Sequence, residues 1–312
     1  FIHYGMLSEN DFYDKAKTFA LFKDVDGKYF TYDEYRDLIK DAQTDKEGNL
    51  IYLYATNKDE QYSYIETAKS KGYNVLLLDG QLDTAMVSML EQKFEKSRFS
   101  RVDGDVIDRI IQKDNETKNE LPADEAASLT GVFTSELPTM DKTQFHVETA
   151  AMGEQATPVV ITQSEYMRRM KDASRYQQGM SFYGEMPDMY NLVLNSDHRL
   201  VKEVLSDMKS ALADKLQPIE SELNTLKARH TAIEQDQKDK KPEELTDDDK
   251  ETMKKCNDDI EAQENARKGV WAEYGKSNPV VAQLIDLALL QNGLLKGEAL
   301  SKFINRSVDL IK

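Results

Sequence analysis

Residues 50–78 read LIYLYATNKDEQYSYIETAKSKGYNVLLL. The stretch opens on Leu50-Ile51-Tyr52-Leu53-Tyr54 and closes on Val75-Leu76-Leu77-Leu78, with a helical pattern over about 60–71 between them. Apolar residues at consecutive positions are what a strand shows when helices cover both faces of its sheet. Two such strands separated by one helix form a βαβ unit, so the spacing predicts parallel pairing and a right-handed crossover. Upstream, Leu21-Phe22-Lys23 and Lys28-Tyr29-Phe30 flank Asp26-Gly27, a hairpin signal. Thr31 with Glu34 predicts a capping box that starts a helix over 32–40. Ser8 precedes a helical pattern with Phe12, Ala16 and Phe19 on one face. Downstream, Asp83 opens a further helix to about 96. The basic cluster Lys93, Lys96, Arg98 and Arg101, interleaved with Phe94 and Phe99, reads as a solvated helix face. Region 1–105 is thus expected to be an α/β layer.

Residues 105–200 are mixed. Helices are expected over 106–113 and 123–133, and short strands over 144–147, 158–161 and 191–194. Thr162 and Glu165 suggest a second capping box, opening a helix with Tyr166, Met167 and Met170 on one side and Arg168, Arg169 and Lys171 as its charged remainder. Seven of the 12 methionines fall between Met140 and Met189, alongside Tyr166, Tyr176, Phe182, Tyr183 and Tyr190. Flexible thioethers beside aromatics suit a surface that accepts many shapes. The plainer reading is that they fill a core.

From His198 onward the pattern is helical. Leu216, Ile219, Leu223, Leu226, His230 and Ile233 recur at alternating three- and four-residue spacings, and so do Met253, Cys256, Ile260, Gln263, Arg267, Val270 and Tyr274. Between them, 234–250 carries 8 acidic and 4 basic residues, and Pro242 forbids a continuous helix. Two antiparallel helices joined by a solvated turn follow. In the tail, Val280, Val281, Leu284, Ile285, Leu287, Ala288, Leu289 and Leu290 make a helix apolar nearly all round, which must be buried on more than one side. Gly293 and Gly297 break it, and Leu300, Phe303, Ile304, Val308 and Ile311 form a second apolar face. Such a pair suggests self-association through a helix bundle. The expected contacts are Leu284, Leu287, Ala288, Leu295, Leu300, Phe303 and Ile304, within or between chains.

Composition narrows the function. With 41 basic and 57 acidic residues the net charge is −16, a field that repels phosphate backbones, so nucleic acid is not an expected partner. No apolar run approaches the ~18 residues of a membrane span. The single cysteine excludes an internal disulfide, and the 4 histidines lack ligand spacing, so no metal site is expected. The nucleotide, nucleophile and metalloprotease fingerprints are missing. Only the Asp79-Gly80 turn after strand 75–78 sits where α/β sheets collect ligands. No catalytic residue is assigned. The absence of a signal peptide implies a cytoplasmic chain, and a start at Phe1 implies a missing upstream part.

Met180-Ser181-Phe182-Tyr183-Gly184-Glu185-Met186-Pro187, preceded by Val160-Ile161-Thr162-Gln163-Ser164-Glu165 and Met167-Arg168-Arg169-Met170, resembles the ninety-kilodalton heat-shock chaperone family in its bacterial branch. Leu50–Thr56, Gln61–Ala68, Gly72–Asp83 and Ala282–Gly293 are similar to the same family in the same order. The resemblance implies the final α/β subdomain of the middle domain over 1–115, with a short, mainly parallel sheet. It implies an α+β carboxy-terminal domain over 116–312 that ends in a helical dimerisation bundle. A helical-hairpin insertion falls at about 205–275. ATP and magnesium belong, by resemblance, to the full-length protein, and no cofactor is expected in this part. The implied partners are a second copy of the chain and unfolded client proteins, with no membrane. The client helix maps onto Ser164 to Tyr176, and Tyr166, Met167, Met170, Tyr176 and Met180 become the expected client contacts. Two other classes stand beside this one: an enzyme built on the 1–105 sheet, and a structural adaptor that uses hairpin 216–274 to bind one defined partner.

Overall fold

The computed structural model describes residues 1–114, 120–174, 186–238 and 246–311. Strand β3 (Leu50–Ala55) is the centre of the first region, with β4 (Val75–Leu77) on one side and β5 (Ser97–Arg101) on the other. Both pairings are parallel, Leu53 opposite Val75 and Leu50 opposite Ser97. All of β3 is buried, because each face has its own cover. Ile51, Leu53 and Ala55 pack with Ile65 of α4 (Tyr62–Ser70) and with Ile107 and Ile110 of α6 (Ile107–Ile110). Tyr52 and Tyr54 face the opposite way, onto Phe22, Tyr35, Leu76 and Phe99. Each of these large side chains contributes about 1.5–3 kcal/mol by leaving water.

The antiparallel hairpin of β1 (Leu21–Lys23) and β2 (Tyr29–Thr31) leads into α3 (Tyr32–Ile39) through the expected capping box. The Glu34 amide donates to Thr31 Oγ1 at 3.3 Å, and the Thr31 amide donates back to Glu34 Oε2 at 2.8 Å. The entry differs from expectation. After α1 (Ile2–Ser8), helix α2 (Asn10–Ala16) starts behind Glu9 and buries Tyr13 beside Ala16, while Phe12 and Phe19 stay exposed. The Phe12 ring lies over Gly5 of α1, where a Cβ would come within 2.7 Å of it. The cluster read as a basic helix face is also corrected. Helix α5 (Asp83–Lys93) stops at Phe94, and Ser97–Arg101 is strand β5, whose Phe99 stacks on Tyr52 at 4.6 Å.

The expected boundary near 115 lies outside the described residues. Beyond it, α7 (Ala123–Glu136) packs on a mixed sheet in which β8 (Asp188–Asn195) is central, parallel to β6 (Thr143–Ala150) and antiparallel to β7 (Val159–Thr162). The core joins Leu129, Val132 and Phe133 of α7 to Leu192 and Leu194, to the first half of α9 (Arg199–Gln237), to the end of α10 (Asp247–Ser277), and to α11 (Pro279–Gln291) and α12 (Gly297–Ile311). Helices α9 and α10 form the expected hairpin. Its outer seam is thin: Leu223, Leu226 and Cys256, whose thiol donates to the Leu226 carbonyl at 3.6 Å. Ion pairs cross the seam between Lys227 and Glu264 and between Arg267 and Glu220, at 3.3 and 3.4 Å. At the root, Trp271 lies against Gly131 of α7, and Tyr274 donates to Asp207 Oδ2 at 2.7 Å.

Candidate functional site

Helix α8 (Glu165–Ser174) has two unlike faces. One is clamped to the first region by charge. Tyr54, at the end of β3, donates to Glu165 Oε1 at 2.6 Å, and Arg168 donates to the same oxygen at 2.8 Å. Arg169 reaches Glu165 at 2.6 Å, Glu91 of α5 at 2.6 Å and the Phe99 carbonyl at 2.9 Å. Glu91 in turn accepts from the Phe99 amide at 2.7 Å, which ties the clamp to β5. Charge-assisted bonds of this kind are roughly twice as strong as neutral ones. Burial pushes the Glu165 carboxyl up, but Arg168, Arg169 and the Tyr54 hydroxyl outweigh it and hold the group below the usual carboxylate range. Tyr54 is pushed up, first by burial and then by the charge of Glu165.

This arrangement overturns the second capping box. Thr162 ends β7 opposite Asn191 and its hydroxyl meets no partner among the described residues, while the Glu165 carboxylate turns away to Tyr54 and the arginines. Arg168 is buried, and Tyr166 on the other face is 65% exposed. Met167 and Met170 are half-buried. Tyr176 and Met180 lie outside the described residues.

The tail divides the seven expected contacts. Leu284, Ala288, Leu295 and Phe303 are buried inside the chain's own core, whereas Leu287 and Ile304 are 43% and 51% exposed and Leu300 is half-buried. Leu290 and Val308, absent from the expected contacts, are exposed beside them at 40% and 48%. Arg306 donates to Asp286 at 2.5 Å and to Gln283 at 2.8 Å, pinning α12 to α11. A helix periodicity assigns the apolar positions, but not which of them a neighbouring helix of the same chain already covers.

The other candidate places are occupied by structure. The Gly80 amide donates to Asp83 Oδ2 at 2.8 Å, so the turn after β4 is closed by the first residue of α5. His198 caps α9 through Nδ1, which accepts from the Leu200 amide at 3.1 Å. Among the described residues no cluster of ligating side chains could hold a metal, and no helix is long and apolar enough to cross a membrane.

The model of the Hsp90 protein family matches residues 2–217, running from α1 through both faces of α8 into α9. This chain belongs to the Hsp90 family. Among its Hsp90 relatives, the chaperone protein HtpG of Bacteroides thetaiotaomicron is 56% identical over 311 residues, covering 100% of this chain and 46% of that protein. The chaperone protein htpG of Bacteroides fragilis is likewise 56% identical, and that of Porphyromonas gingivalis 45%, over the same span. The chain therefore spans about half the length of the curated relatives it matches. The family match ends one residue before Pro218 in α9, whereas the likeness to the Bacteroides proteins continues through the hairpin and the tail.

Proposed function

We propose that this chain is the part of an Hsp90-type chaperone that holds unfolded client protein and joins two protomers. The observation that carries the reading is helix α8, which presents an exposed aromatic while its opposite face is fixed by a buried ionic clamp. Tyr166, 65% exposed, with the half-buried Met167 and Met170 on the same helix, supports reading α8 as an interaction surface. Tyr166, Met167 and Met170 are the proposed client contacts, with Tyr176 and Met180 next along the chain. Leu287, Leu290, Ile304 and Val308 supply a self-complementary apolar face for a twofold four-helix contact, which closes without leaving a surface for further growth. ATP turnover, magnesium and the cytoplasmic setting belong to this reading through the family.

The adaptor reading of hairpin α9–α10 has less support, because the hairpin leaves no large apolar side chain exposed among the described residues. Two measurements test the proposal together. The protein should sediment as a dimer at micromolar concentration and should slow the aggregation of several unrelated unfolded proteins. Selective binding of one folded partner, with no effect on aggregation, would favour the adaptor.

A further inference from the structure

We infer that the α9–α10 hairpin is jointed: its outer half swings as one piece on a fixed root, about a pivot formed by Pro218 of α9 and Gly269 of α10. The ion pairs Lys215–Glu273 and Glu220–Arg267 cross the hairpin at 3.0 and 3.4 Å on either side of these two residues, so Pro218 and Gly269 face each other at one level. Glycine and proline are the two poorest residues for a helix interior. Pro218 has no amide to donate to the Asp214 carbonyl, and its ring crowds that oxygen. Gly269 is not there to make room. A Cβ on it would meet nothing within 4 Å, whereas one on Gly275, nearer the root, would come within 2.9 Å of Glu136. Both helices therefore place a weak point of their backbone at the same height, and neither weak point is required by packing.

The side-chain contacts thin out at the same level. Between Leu212 and Leu223 on α9, and between Cys256 and Trp271 on α10, no side chain is fully buried. Trp271 and Tyr274 hold the root on one side, and Leu223, Leu226 and Cys256 hold the outer seam on the other, so each side keeps its own contacts while the angle between them changes. Two buried donors beside the pivot, Arg267 Nε and Trp271 Nε1, meet no acceptor among the described residues. Leaving them unmet costs the closed arrangement free energy, and a tilt that lets water reach them recovers part of it. The model of the Hsp90 family stops at residue 217, one residue before the pivot, so the swinging part lies wholly outside what that model covers. Beyond Pro218, α9 runs on to Gln237, about 29 Å at 1.5 Å per residue. A bend of about 20°, where sharp kinks begin, carries that end through roughly 10 Å.

Hydrogen exchange followed by mass spectrometry on the whole chain tests the joint. Exchange should peak at 213–222 and 264–270 and be slower on both sides, in the root and in the outer seam. A rise that continues steadily from root to tip would mean fraying of a uniform arm and would overturn the pivot. Gly269→Ala should slow exchange at 264–270 by about fivefold, the equivalent of glycine's helix penalty, and Pro218→Ala should slow it further. Unchanged exchange in the double variant would also overturn it. Electron–electron distance measurements supply the second readout. Spin labels go on cysteines replacing Asp124 of α7 and Thr231 of α9, with Asp124 and Ser210 as the reference pair across the root. Both pairs are made in a Cys256→Ser chain, whose hydroxyl can still donate to the Leu226 carbonyl, and are diluted with unlabelled protein so that only distances within one chain are read. The same 20° bend moves position 231 by roughly 7 Å, so the 124–231 distribution should be broader than the 124–210 one and should narrow in Pro218→Ala with Gly269→Ala. A 124–231 distribution as narrow as the reference in the otherwise unaltered chain would refute the joint.

Discussion

Alanine in place of glycine inside a helix ordinarily stabilises it by about 1 kcal/mol. At Gly131 of α7 the sign should reverse. A Cβ there would sit 2.1 Å from Cε3 and 2.5 Å from Cζ3 of Trp271, well inside van der Waals contact. The obstacle is the body of an indole, not the end of a flexible chain. Trp271 is 5% exposed and carries the Arg267 guanidinium 4.9 Å from its ring centroid, so it has little room to turn. Overpacking costs about 1–3 kcal/mol, and this contact belongs at the upper end. Set against the helix gain, Gly131→Ala should lose about 2 kcal/mol, or about 3 °C of melting temperature for a chain of 312 residues. Trp271 is the sole tryptophan, so its fluorescence reports the site directly, in a thermal melt and as a red-shifted emission at low temperature. Adding Trp271→Leu should recover part of the loss, giving a coupling energy between the two positions. A Gly131→Ala protein at least as stable as the wild type, with unchanged emission, would refute the close approach of α7 and α10.

Glu165→Gln should leave Arg168 and Arg169 without their shared carboxylate, at a cost of about 3–5 kcal/mol if the clamp behaves as a buried pair, read as faster hydrogen exchange in α8. The folded Glu165 pKa is depressed, so its contribution is complete above the ordinary carboxylate range and disappears as pH falls through the lowered folded value; urea melts in acid should show that loss in the wild type and not in Glu165→Gln. Tyr166→Ser combined with Met170→Ser should shift stability by only about 0.5 kcal/mol, as surface changes do, while suppression of client aggregation weakens; a loss of several kcal/mol would place both residues in the core. Leu287→Asp with Ile304→Asp should give folded monomers in sedimentation velocity, since both side chains are 43% and 51% exposed within one chain; a wild-type protein that is itself monomeric at micromolar concentration would discard the dimer reading.

What the sequence made legible was local. The Thr31–Glu34 box, the β1–β2 turn at Asp26-Gly27, and the consecutive apolar residues of β3 and β4 each carry their own instruction, and the structure follows them. Where a distant group competes, the local instruction loses. Glu165 sits three residues after Thr162, as a capping box requires, but two arginines and Tyr54, 111 residues away in the chain, hold its carboxylate more strongly than one threonine amide could. Strand β5 is not legible in the sequence, because only Phe99 and Ser100 are buried in it and its polar neighbours resemble a helix surface. In the same way Leu287 and Leu284 look alike in the tail, and only the packing of α11 against its own chain separates an exposed leucine from a buried one. The clamp brings together residues from both regions, and no spacing within either region announces it.

The construction of α9 separates reach from stability. Five of its seven buried residues, Val201 to Leu212, belong to the main core, and only Leu223 and Leu226 serve the outer seam. At about 1.5 Å per residue, the 39 residues of α9 extend roughly 58 Å. Adding or removing matched turns in α9 and α10 beyond that core would move the tip by about 5 Å per turn and leave the Trp271 root unchanged. The projecting arm is therefore an adjustable dimension of the molecule, one that natural variation or an engineer can set without renegotiating how the rest of the chain folds.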